Sequence, residues 1–174
     1  MRILFIHLLL VLNFGFAANY PTPEKKPSLL FYIQRSLNKN TVIYEANFNE
    51  NGLLDPKNPV NAYWILYEKD RKKEGLSLIE KKYAFGIEVE ACKNDSNAYW
   101  LRLVSQKQLP LKIVQTEPFK ATTYIQRDIN HTYFLDHIFI QSDESGFWPK
   151  VETIKLYMHT LDKSESINEV IKID

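Results

Sequence analysis

His131, His137 and His159 are the side chains of this sequence best suited to hold a metal or move a proton, and each falls in a different strand-like context. None has the helical spacing that gathers metal ligands. His131 and His137 are six apart and share a face of one strand, but the ladder separates them by ~20 Å at about 3.3 Å per residue, too far for one ion. Each is expected as a surface or hydrogen-bonded strand histidine. Asn47, Asn49 and Asn51 before Gly52, with Asp55 beyond, have the spacing of a calcium loop, yet amides replace the carboxylates and Asn58 stands where a bidentate Glu is needed. A hairpin connection on Asn51-Gly52 accounts for the same residues. There is no Gly-x-Ser-x-Gly elbow, no histidine beside Cys92 in sequence, and no glycine cluster to cradle phosphate. No catalytic residue, metal site or cofactor follows from local spacing; a triad assembled from distant residues is a question of geometry.

Binding candidates are easier to name. Arg35, Glu45 and Arg127 stand inside or at the ends of predicted strands, where charges ordinarily face water or pair across strands. Turned into a cavity, Arg35 and Arg127 would grip a carboxylate or phosphate bidentately. Arg35 and Glu45 flank one predicted hairpin and form a candidate polar pair, structural before ligand-facing. Trp64, with Tyr32, Tyr44, Tyr63, Tyr99 and Trp100, could line an apolar cavity. Trp148, in Phe147-Trp148-Pro149 after the acidic turn at Asp143-Glu144, could mark a binding loop or fold back on the core.

The elements that must position these residues are strands. Short runs rich in Tyr, Phe, Ile and Val, separated by Asn, Asp, Gly and Pro, predict strands near 29–36, 41–48, 60–68, 85–91, 98–105, 110–117, 121–127, 132–141, 151–161 and 167–173. Lys155, Tyr157 and His159 alternate with Ile154, Leu156 and Met158, giving a wet and a buried face. Ser77 and Glu80 have capping-box spacing, Ile79 and Tyr83 share a face, and Gly86 could end the helix in a left-handed conformation, so a short helix plugging the sheet is expected. Glu68 to Glu74 interleaves both charges and reads as a solvated loop. Two echoes, Tyr32-Ile33-Gln34-Arg35 with Tyr124-Ile125-Gln126-Arg127 and Asn61-Ala62-Tyr63-Trp64 with Asn97-Ala98-Tyr99-Trp100, have different offsets, which one tandem duplication cannot produce.

Arg2, the apolar run Ile3–Leu12 and Gly15-Phe16-Ala17 read as a secretory signal peptide over residues 1–17. Its removal takes Arg2 away and leaves 21 basic against 21 acidic side chains, so no global field draws the domain to nucleic acid. No later run is long enough to span a bilayer. Residues 18–28, with Pro21, Pro23, Pro27, Lys25 and Lys26, are expected as an extended, solvated tether, and residues 29–174 as one β domain. Cys92 is the only cysteine, so no intramolecular disulfide forms and none lies at the cleavage site to carry lipid. Export to a bacterial periplasm or beyond fits better than a disulfide-stapled ectodomain, although Asn94-Asp95-Ser96 and Asn130-His131-Thr132 are sequons.

The segments Tyr32–Ser36, Asn40–Asn47, Gly52, Pro59-Val60, Tyr63-Trp64-Ile65, Tyr83–Gly86, Ile138-Phe139-Ile140 and Phe147-Trp148-Pro149 together resemble domain-of-unknown-function family 4833, a family of uncharacterised exported bacterial proteins. The resemblance implies a secreted single domain and brings no catalytic residues. The expected fold is all-β, a single antiparallel β-sandwich or flattened barrel of about nine to ten strands with one short helix. The expected role is non-enzymatic, binding an envelope protein or other ligand through the sheet surface or loops, or a structural role in the envelope. The alternatives are a barrel-like carrier of a small apolar ligand and a hydrolase with an unrecognised site.

Overall fold

β-branched and aromatic runs set apart by Asn, Gly and Lys turns build eleven strands among the residues that the computed structural model describes, 20–127, 131–143, 145 and 150–173. The expected signal peptide and the Phe147-Trp148-Pro149 loop lie outside the described residues. The strands are β1 (Leu29–Arg35), β2 (Asn38–Ala46), β3 (Val60–Leu66), β4 (Lys72–Gly75), β5 (Ile87–Ala91), β6 (Ala98–Leu103), β7 (Gln106–Glu117), β8 (Lys120–Gln126), β9 (Thr132–Asp143), β10 (Lys150–His159) and β11 (Ser166–Lys172). One helix, α1 (Leu78–Tyr83), and a 3-10 turn at Tyr67–Lys69 complete the described elements.

Hydrogen bonding joins the strands into one curled, open sheet in the order β4-β3-β2-β1-β9-β8-β7-β6-β5, with β10 on the far edge of β9 and β11 beyond it. The pairing thus gives one continuous sheet where a two-sheet sandwich was the first expectation. The expectation of purely antiparallel pairing fails at one place, because β1 runs parallel to β9. The near edge of β9 is divided: Thr132–Phe134 pair with β8, and His137–Ile140 pair with β1.

Period-two alternation sends Phe31, Ile33, Val42, Tyr44 and Trp64 inward to meet Leu101, Leu111, Ile113 and Ile125 from β6 to β8 and Ile138, Leu156 and Met158 from β9 and β10. Phe31 stacks on Tyr44 at 4.3 Å, and the Tyr44 hydroxyl donates to the Phe85 carbonyl at 2.8 Å. That bond satisfies a fully buried phenol whose ionisation burial pushes far up.

The segment expected to be a solvated tether is extended, as its prolines require, but it is packed. It straps the outer face. Tyr20 sets its ring edge-on to Phe139 at 5.0 Å, and Gln34 Nε2 donates to the Pro21 carbonyl at 2.8 Å. Glu45 anchors the strap by accepting from Ser28 Oγ at 2.7 Å and Tyr63 Oη at 2.6 Å and pairing with Lys26 at 2.7 Å. The physical reason is the outer row beneath: Tyr32 is 6% and Ile43 1% exposed only because something covers them.

Three local expectations need correction. Within the predicted loop at 68–74, Asp70 and Arg71 adopt left-handed conformations and turn the chain into β4, whose four residues are all exposed. The helix is capped as predicted, with Ser77 Oγ accepting from Glu80 N and Glu80 accepting from Ser77 N, but it plugs nothing: Ile79 is 73% and Tyr83 64% exposed. Gly86 does not use a positive φ; a Cβ there would lie 1.6 Å from the Lys81 carbonyl oxygen, so close approach is what demands glycine.

Gly86→Ala is therefore expected to destabilise the domain by about 3 kcal/mol or more, read from urea unfolding at pH 7. A second expectation concerns Glu45. Burial opposes ionisation, but the bonds from Lys26, Tyr63 and Ser28 outweigh it and hold the carboxyl at about 2, below the ordinary 4.5. The stability this contributes is present above pH 4.5 and lost as pH falls towards 2. With solvent screening it amounts to about 1–2 kcal/mol, so Glu45→Gln should cost that much at pH 7 and almost nothing at pH 2, measured by denaturant unfolding across the range.

Candidate functional site

Two cross-strand rows of side chains occupy the outer face of the sheet. One is Gly75, Tyr63, Ile43, Tyr32, His137, Tyr157 and Asn168, running from β4 through β3, β2, β1, β9 and β10 to β11. The other is Glu90, Trp100, Lys112, Tyr124, Phe134, His159 and Ser166, running from β5 through β6, β7, β8, β9 and β10 to β11. The strap crosses the first row and leaves the second open.

In the covered row, the His137 ring lies between Tyr32 at 4.8 Å and Tyr157 at 4.1 Å, nearly parallel to both. A bulge at Asp136 leans that carboxylate beside His137, and His137 Nδ1 donates to Asp136 Oδ2 at 2.7 Å. This hydrogen bond holds the Asp136 carboxyl below the usual range. Burial pushes the Tyr32 phenol far up, and the neighbouring Asp136 adds to it. An acid-oriented imidazole of this kind is a familiar part of a general base, but both ring faces and Nδ1 are already occupied.

The open row spans seven strands, ~29 Å at about 4.8 Å per step. Trp100, Lys112, Tyr124, Phe134 and His159 are half-buried. Tyr124 and Phe134 contact at 4.9 Å, and Lys163 Nζ sits 5.3 Å above the Phe134 ring. Lys112 pairs with Asp95 at 3.3 Å and Arg102 with Glu90 at 3.7 Å. His159 Nδ1 lies 3.2 Å from Ser166 Oγ.

Three open grooves follow this row. The first, about 420 Å³, lies against Glu90, Cys92, Trp100 and Arg102; the second, about 340 Å³, against Tyr124, Gln126 and Thr132. They share Asp95, Trp100 and Lys112. The third, about 380 Å³, opens where β8 and β1 part along β9, between Thr122, Phe134, Asp136, His159, Lys163 and the strap residues Lys25 and Lys26. Burial pushes the Cys92 thiol up, which disfavours the thiolate a nucleophile needs.

The residues singled out in the sequence do not meet in one site. Glu45 pairs across from Leu29 and Arg35 across from Asn38, at opposite ends of the β1–β2 hairpin, so they form no polar pair. Glu45 anchors the strap instead. Arg35 has a buried Nε without a hydrogen-bond partner and lies near enough to Glu80 to favour its ionised form. Trp64 is 9% exposed on the inner face, edge-on to Phe85 at 5.1 Å, and its indole N–H donates to Glu80 Oε1 at 3.1 Å. Arg127 pairs with Glu169 of β11. Trp148 lies outside the described residues. The six rings proposed to line a carrier cavity divide by alternation: Tyr44, Trp64 and Tyr99 face the core, whereas Tyr32, Tyr63 and Trp100 face outward.

Lys112, Tyr124, Phe134 and Lys163 were not foreseen as site residues. Each strand's alternation marks its outward positions, but only the register shows that they form one row.

A family model described as Domain of unknown function (DUF4833) matches residues 31–170. No curated protein and no solved structure matches the chain. Both outer rows fall inside the matched segment, and the strap precedes it. Among the described residues no three His, Cys, Asp or Glu side chains gather as metal ligands, and no helix is long and apolar enough to cross a membrane.

Replacing the stacked imidazole should show that the covered row is structural. His137→Ala is expected to cost about 2 kcal/mol in urea unfolding at pH 7, through loss of two ring contacts and the Asp136 bond.

Proposed function

Because the chain belongs to the DUF4833 family, whose description names no activity, we propose from its geometry that it is an exported, non-enzymatic domain that binds its ligand across the open outer row of β5 to β10. The observation that carries this reading is the row itself. Trp100, Tyr124 and Phe134 are only half-buried, whereas Tyr32 and Ile43 on the strapped half of the same face are buried. Exposed aromatic surface costs solvation free energy, so a face left uncovered beside a covered one is best explained by a partner. Export is supported by the signal-like residues 1–17.

One arrangement favours a hydrolase: Ser166 Oγ against His159 Nδ1, with Asp136 in the same groove. Asp136 is committed to His137, so the His159 pair lacks the orienting acid that such chemistry uses. Binding is therefore the stronger reading.

The test is a two-dimensional NMR titration of the protein with separated envelope fractions of its host, following the indole N–H resonances. The Trp100 indole and the amides of Lys112 and Tyr124 are expected to shift, while the Trp64 indole, held by Glu80, stays fixed. Shifts confined to α1 or to the strapped row would overturn the proposal.

A further inference from the structure

Resting on that reading of the open row, we infer that its ligand is an extended acidic glycan, a chain of sugar rings bearing carboxylates, lying across the strands with an acidic group towards Lys25 and Lys163. Shape comes first. The three grooves are shallow, follow one line from β5 to β10 over ~24 Å at about 4.8 Å per strand, and two of them share Asp95, Trp100 and Lys112, which suits a linear polymer better than a compact molecule.

The chemistry of the row narrows the polymer. Trp100, Tyr124 and Phe134 present half-exposed, electron-rich ring surface, the last two set against each other with Lys163 over Phe134, and the C–H face of a sugar ring is flat, apolar and slightly positive. Between the rings stand groups already arranged as donor beside acceptor: Lys112 with Asp95, Arg102 with Glu90, and the side chains of Gln126 and Thr132. Hydroxyls both donate and accept, so each such pair can bond one without losing its own partner. An acyl chain would cover the same ion pairs and give them nothing in return, a desolvation cost with no gain.

A single-stranded nucleic acid would also stack on the rings, but its affinity comes mainly from cations that neutralise successive phosphates. Here Arg102 and Lys112 each face a carboxylate, and the positive and negative counts of the exported chain balance. The groove-lining cations without an ion pair to a described residue are few and far apart: Lys93 beside the first groove, and, at the third, Lys25 on the strap and Lys163 above Phe134, beside His159. Lys26 is held by Glu45, and Asp136, the acid of that groove, is bonded to His137 and lies within electrostatic reach of Lys25, which leaves Lys163 the least engaged cation there. Cations spaced this widely suit isolated carboxylates, received through charge-assisted hydrogen bonds chiefly at Lys163, with sugar rings continuing over the aromatic stretch.

Isothermal titration of the full chain with three probes tests this: a hexameric alginate oligomer, cellohexaose and a thymidine hexamer. The alginate oligomer is expected to bind tightest. Trp100→Ala and Tyr124→Ala should each weaken it about tenfold, with Trp100→Tyr restoring most of the affinity. Lys163→Gln should weaken it about threefold while leaving cellohexaose binding unchanged. Urea unfolding of each variant separates lost binding from lost folding. Equal or tighter binding of cellohexaose or of the thymidine hexamer, or no binding of any of the three, would overturn the glycan assignment. The surface reading falls separately, if envelope fractions shift resonances elsewhere than Trp100.

Discussion

The near edge of β9 has to satisfy two strands that run in opposite directions, and the rest of the sheet follows from how it does so. β8 takes the backbone groups of Thr132–Phe134 and β1 those of His137–Ile140, leaving Leu135 and Asp136 between them. Two strands cannot occupy one edge side by side, so β8 and β1 splay apart, and the sheet curls with the core inside the curl. The bulge at Asp136 and the groove beneath Lys25 and Lys163 lie at that fork. Ala121 N, donating to the Pro27 carbonyl at 3.2 Å, ties the parting strand to the strap.

The strap resolves a second problem created by the same geometry. A curled sheet has an outer face, and this one carries Tyr32, Ile43, Tyr157 and Phe139 where water would otherwise be. With a single cysteine the chain has no disulfide to spend on rigidity, so it folds its own proline-rich segment across the apolar half and locks it with Glu45. The division into covered and open halves follows from the strap's length and from where Lys26 meets Glu45.

Much of this frame is legible in the residues. Short aromatic and β-branched runs bounded by turn residues locate ten of the strands, and Ser77 with Glu80 locates the helix, because these signals depend on neighbours in sequence. Long-range pairing is not local, and the site depends on it. The two Tyr-Ile-Gln-Arg copies look like a repeat; in space both seat their first residues on the near edge of β9, one parallel and one antiparallel. The two Asn-Ala-Tyr-Trp copies point opposite ways, Trp64 into the core and Trp100 out. Identical words thus take opposite faces according to register, which is why Trp64 stood out in the sequence and Lys112, Tyr124 and Phe134 did not. The β4 strand was hidden for a different reason: all four of its residues are exposed, so burial leaves no pattern to read.

Hydroxyl-radical footprinting of the free protein tests the division of the outer face most directly, since it reads side-chain accessibility residue by residue. The account predicts rapid modification of Trp100, Tyr124 and Phe134 and strong protection of Tyr32 and Ile43, with that protection lost on deletion of residues 20–26. Equal modification of Tyr32 and Tyr124 in the intact chain would contradict it.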